Sequence, residues 1–136
     1  MASMALVGLI EEMIFRGFLF EAMRSDSDIR VAIIVSAVTF GLGHIVNLFT
    51  GHFGVETFVQ MVYAISIGFI MVFVYYKGES LLPCIIAHSL IDIFSVISNL
   101  HGTIEWVYLG ATIVIAITYC IYLVKKIPAL DLSEKR

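Results

Sequence analysis

Six ionisable side chains stand in otherwise apolar stretches of this chain. Glu11, Glu12 and Arg16 share one stretch, His44 lies in a second, and His88 and Asp92 lie in a third. On insertion scales a charged side chain at the bilayer centre costs about 2.5–3.5 kcal/mol, so these groups need one another. Their spacing says how they meet. Glu12 and Arg16, Phe40 and His44, and His88 and Asp92 are each four residues apart, which places each pair on one helix face. Glu11 is turned by about 100° from Glu12, so the two carboxylates have different work. Glu12, on the Arg16 face, is expected in an ion pair, and Glu11 is left for chemistry or for a metal. Two imidazoles with carboxylates suit two related tasks. They can hold a divalent metal such as zinc with water in an open position, or a Glu paired with His can activate water as a general base. Both tasks lead to amide hydrolysis.

Other chemistries find little support. No Ser has His and Asp at triad spacing, and neither Cys84 nor Cys120 has an adjacent base. There is no glycine-rich phosphate loop and no His-Glu-x-x-His helix. The two cysteines fall within apolar runs and read as free buried thiols. His52 and His101 fall in connections and read as solvated loop histidines. Glu56 and Gln60 share a helix face near a membrane end, which suits an interfacial role. Phe40 reads as a packing residue against the site. Ala37 with Gly41, and Ala64 with Gly68, are small residues four apart that allow close helix packing.

The elements that must position these groups follow from composition. The chain is 60% hydrophobic and 14% charged over 136 residues, with a mean hydropathy of +1.01. Soluble domains carry about 25% charged residues, so an ordinary soluble domain, a disordered segment and a disulfide scaffold are excluded. A net charge of −3 offers no basic field for nucleic acid. Polar breaks divide the sequence into apolar spans at about residues 4–23, 29–49, 55–76, 81–100 and 106–124. Each approaches the roughly 20 residues that cross the hydrocarbon. Only helices satisfy the backbone of open spans in lipid. The expected fold is an all-α polytopic transmembrane bundle of about five spans, forming one domain over residues 1–127 with a polar tail at 128–136. Asp26 and Asp28 are candidate caps for the second span, Gly78 for the end of the third, and Ser80 or Glu79 for the start of the fourth. The N-terminus has no basic region and no small-residue cleavage site, so no cleavable signal is expected.

Arg24 and Arg30 lie in the first connection, Lys77 in the third, and Lys125, Lys126, Lys135 and Arg136 after the last span. By the positive-inside rule that side is cytoplasmic, with the C-terminus inside. Tyr75, Tyr76, Tyr119 and Tyr122 then belong to an inner aromatic belt, and Trp106 and Tyr108 to an outer one. Counted from the outer ends, Glu11, His44, Asp92 and His88 lie about 10, 8, 12 and 18 Å deep. One shared band in one half of the membrane fits a single buried site built from three helices. A conduit for ions or protons would need a second polar band in the inner half, which the sequence lacks.

The motifs Glu11-Glu12-Met13-Ile14-Phe15-Arg16, Phe40-Gly41-Leu42-Gly43-His44 and His88-Ser89-Leu90-Ile91-Asp92 occur in that order, one per span. Together they resemble the CPBP family of intramembrane proteases, which includes the type II CAAX prenyl endopeptidases and bacterial bacteriocin-processing and immunity proteins. The resemblance covers about residues 6–96. It implies that Glu11 activates the attacking water with His44, that His88 and Asp92 hold water, metal or the oxyanion, and that Glu12 and Arg16 form the supporting pair. Family members are described both as metalloproteases and as glutamate-dependent proteases. If a metal is used, Glu11, His44, His88 and Asp92 are its candidate ligands. Position 92 carries Asp where the eukaryotic prenyl-protein proteases carry Asn, and an ionised Asp cannot donate to an oxyanion; it must be protonated, orient His88 or bind a metal, which favours the reading as a metalloendopeptidase. Related proteins usually carry further helices before the Glu-Glu motif, which this sequence does not show. The implied function is hydrolysis of a peptide bond in a membrane-associated peptide, prenylated or bacteriocin-like, in a bacterial plasma membrane. The alternative is a non-proteolytic immunity or interaction protein on the same fold.

Overall fold

The computed structural model describes residues 2–46, 55–97 and 103–126. His52, His101, the tail from residue 127 onward and the side chains of Glu56 and Cys120 lie outside what it describes. Among the described residues every regular element is helical. The first rod is continuous: α1 (Ala2–Glu12), a π-helical segment (Met13–Phe20) and α2 (Glu21–Asp26). There follow α3 (Ile29–Gly43), α4 (Val55–Gly78), α5 (Leu82–Ile97) and α6 (Thr103–Lys126).

The ends follow local chemistry. Ser27 is extended and stops the first rod, and Asp28 caps α3 by accepting from the Arg30 amide at 2.7 Å. Of the two aspartates considered for that cap, Asp28 has the role and Asp26 ends α2. In the second span, expected over 29–49, residues 47–49 lie outside the described ones, and α3 ends at Gly43. There the His44 amide bonds back to Gly41 at 3.2 Å, a tighter turn than the α-helix allows, after two glycines that weaken helix. Helix α4 ends at Gly78 as expected, but the left-handed residue after it is Glu79, at φ 49°. Neither Ser80 nor Glu79 caps α5. Leu81 stands in that position, its carbonyl accepting from the Ile85 amide at 2.9 Å, and Pro83 fits the first turn because its missing N–H has no partner to lose there.

Length and apolar character qualify one described helix, over Thr57–Gly78, as a span in its own right. Shorter apolar stretches cover Ile29–Gly43, Leu82–Ser95 and Trp106–Tyr119. The first rod, though continuous, carries Glu11, Glu12 and Arg16 within its apolar part and does not qualify by that criterion. Polarity is distributed inside out relative to a soluble domain. Glu12, Arg16 and His88 are buried, whereas α1 and the π segment expose Leu6, Val7, Ile10, Ile14 and Phe18.

Two kinds of packing hold the rods together. Near the Arg24 end, Phe20, Ile29, Ala32, Ile33, Val72 and Phe73 form a buried cluster. Arg24 reaches Glu79 at 3.5 Å, so the first and third connections lie at one end of the bundle, as alternation of the helices requires. Elsewhere glycines allow backbones to approach. A Cβ at Gly41 would overlap the Ile65 side chain and lie 2.8 Å from its amide nitrogen, and one at Gly68 would lie 2.9 Å from the Ala37 carbonyl. The small-residue pairs thus sit at the α3–α4 crossing.

Candidate active site

Helix α1 meets α5 at Gly8, where a Cβ would lie 2.7 Å from the Ser89 hydroxyl. That approach brings the next turn of α1 within side-chain reach of His88. The two adjacent glutamates then straddle one imidazole. Glu12 Oε1 lies 2.9 Å from His88 Nδ1, and Glu11 Oε2 lies 3.7 Å from His88 Nε2. Asp92 approaches the same Nε2 from one turn along α5, at 3.6 Å. Glu12 is fully buried, whereas the Glu11 side chain is 33% exposed and that of Asp92 is 26% exposed.

Glu12 is held from two sides. Arg16 Nη1 donates to the same Oε1 at 2.9 Å, and Arg16 Nη2 donates to the Gly68 carbonyl on α4 at 3.1 Å. The guanidinium also lies over the Phe40 ring, 4.4 Å from its centroid. An ionised carboxylate only accepts, so beside Glu12 the His88 proton sits on Nδ1. Nε2 is then the nitrogen turned towards Glu11 and Asp92. Glu12 forms the ion pair with Arg16 that their spacing suggested, and Glu11 is the more exposed of the two carboxylates.

Phe40 is the hub on which the three motifs meet. Its ring is edge-on to Phe15 at 5.3 Å, to His88 at 5.3 Å and to His44 at 5.8 Å. His44 follows the end of α3 with Nδ1 3.4 Å from the Phe40 carbonyl. Among the described residues Glu11 shares no hydrogen bond or ion pair with His44; its partner is His88. The resemblance implies a Glu11–His44 pairing, and the distances favour Glu11–His88. No group of three or more His, Cys, Asp and Glu among the described residues is placed to hold a metal ion.

Sequence reasoning missed three contacts. One is the Glu12–His88 bond between α1 and α5, 76 positions apart. Another is the anchoring of Arg16 to Gly68. The third is a bond from the buried Ser36 hydroxyl on α3 to the Phe15 carbonyl in the π segment, at 2.9 Å. The depth argument hinted at the first by placing the groups in one band. Nothing in the one-dimensional pattern marks the other two.

A family model described as type II CAAX prenyl endopeptidase Rce1-like matches residues 1–94, which include all three motifs. The chain belongs to that family. It is therefore a membrane protein, and membership assigns it to proteases at the coarse level. The matched region of this Rce1-like protein ends just past Asp92, so α6 lies outside it. No curated protein and no solved structure matches the chain.

Proposed function

We propose that this Rce1-like protein is an intramembrane endopeptidase that hydrolyses a peptide bond in a membrane-associated peptide, with Glu11 as the general base. The observation that carries this is the partly exposed Glu11 carboxylate facing Nε2 of an imidazole whose other nitrogen is bonded to buried Glu12. A water between Glu11 and His88 donates one hydrogen to each and turns a lone pair to the scissile carbonyl. As its oxygen bonds the carbonyl carbon, the proton passes to Glu11 and the carbonyl electrons move to oxygen. When the tetrahedral intermediate collapses, the C–N bond breaks and Glu11 returns the proton to the leaving amine.

Each neighbour has a part. Glu12 and Arg16 fix the His88 tautomer, as a carboxylate behind an imidazole does. Asp92 flanks the same Nε2 as Glu11, at 3.6 Å, and His44 completes the polar rim across Phe40. A zinc ion would supply Lewis-acid activation of water, but Glu11, His44, His88 and Asp92, its candidate ligands by sequence, do not converge as a metal-holding group among the described residues. The family's name makes a prenylated C-terminal peptide the first substrate to assay.

The test uses full-length protein in liposomes against prenylated and unmodified membrane peptides. Glu11→Gln, His44→Ala and His88→Ala are each expected to lower cleavage by at least about 10²-fold, with insertion intact by protease protection. Cleavage that survives Glu11→Gln overturns the assignment. Protection of cells against a bacteriocin that survives all three changes favours the non-proteolytic alternative.

A further inference from the structure

Between the Glu11-Glu12 pair and α2, eight residues adopt π geometry, Met13–Phe20. A stretch of this length is unusual, because π turns occur mostly singly, and often at functional sites. It starts directly after Glu12 and contains Arg16. A π turn carries its own i→i+5 bonds, and each of its carbonyls has a second lone pair that can accept a bond from outside. Ser36 supplies one. It is fully buried on α3, and its hydroxyl donates to the Phe15 carbonyl at 2.9 Å. The same residue, Phe15, is held through its ring by Phe40, one turn beyond Ser36 on α3.

From this we infer that Ser36 is a positioning residue for the site: by holding the Phe15 carbonyl it fixes the π register that aims Glu11, Glu12 and Arg16 at His88. The inference rests on the hydrolytic reading of that site for its effect on turnover, but not for its effect on geometry. Ser36 touches neither Glu11 nor His88 and acts through Phe15. Burial alone would not give this role. Ser66 is also buried, but its hydroxyl donates to Val62 within its own helix at 2.9 Å. It is the matched control, with the same side chain and no bond to the π segment.

The experiment compares Ser36→Ala, Ser36→Cys, Ser36→Thr and Ser66→Ala in the full chain, by peptide cleavage and by 15N NMR of labelled histidines. Ser36→Ala is expected to lower kcat about tenfold at nearly unchanged KM, a fraction of the ~10²-fold that a 1 Å misplacement costs. It should also shift the His88 ring nitrogens, as its bond to Glu12 changes. Ser36→Thr, which keeps the hydroxyl, should restore both, and Ser66→Ala should change neither. If Ser36→Ala does not fold, Ser36→Cys fills the space with a poor donor and should show the same signs. Wild-type kcat and histidine spectrum in both Ser36→Ala and Ser36→Cys overturn the inference, as does an equal loss in Ser66→Ala. A His88 shift in Ser36→Ala, with no cleavage by the wild type, sustains the positioning role and removes the hydrolytic reading instead.

Discussion

Replacing Arg16 by Met tests how the buried charges hold the bundle together. Met is unbranched and fills much of the same space, so the change removes charge more than volume. At 2.9 Å and an effective dielectric constant near 20, the attraction to Glu12 is about 6 kcal/mol before desolvation. The Arg16–Gly68 bond and the contact with Phe40 add to what is lost. Part is recovered because Arg16 itself no longer has to be desolvated. Breaking a buried pair by removing one partner leaves a net cost of about 3–5 kcal/mol, mainly the stranded charge on Glu12. The second half of the test removes that charge. Arg16→Met with Glu12→Gln should be more stable than Arg16→Met alone by about 1–3 kcal/mol, although the Glu12–His88 bond is weakened too. Unfolding in mixed micelles, followed by circular dichroism, measures both. Arg16→Met within about 1 kcal/mol of wild type, or a double variant no better than the single one, would refute the claim that Glu12 depends on Arg16 for its burial.

Other outcomes follow from the same contacts. Gly41→Ala should destabilise by about 1–3 kcal/mol, because its Cβ meets the backbone as well as the side chain of Ile65. Gly8→Ala should cost less, since the closest atom is the Ser89 hydroxyl, which can turn, but the Ser89 amide nitrogen at 3.2 Å cannot, so α1 is pushed slightly from α5 and cleavage should fall; both are read by melting and peptide assay. Glu79→Gly should raise stability by up to about 1 kcal/mol by relieving a left-handed residue. The exposed ion pair it removes with Arg24 is worth little. With Glu11 as the base, protein freed of metal by chelation and checked by elemental analysis should keep its activity. Loss on chelation with recovery on adding zinc would move water activation to a metal.

Much of this was legible in the sequence because burying charge in lipid is costly. Glu11, Glu12, Arg16, His44, His88 and Asp92 stand out against Val, Ile and Leu, and four-residue spacing identified the Glu12–Arg16 and His88–Asp92 faces. The small pairs at Ala37–Gly41 and Ala64–Gly68 foretold the α3–α4 crossing. What failed to show was set by tertiary contact. Which histidine faces Glu11 depends on how α1 lies against α5, and that is decided by Gly8 and Ser89, which no periodicity singles out. The π segment keeps an apolar pattern close to that of an α-helix, so its widened turns left no trace in the spacing. The early end of α3 at Gly43 reflects two glycines that hydropathy counts as compatible with a span.

The central claim is that Glu11, held against His88, makes water attack a peptide bond. It is tested most directly by the single-turnover cleavage rate of Glu11→Gln beside wild type in the same liposomes, with His88 15N spectra showing that the Glu12–His88 bond persists. A fall of at least about 10²-fold with that bond intact is the expected result; cleavage at the wild-type rate would contradict it.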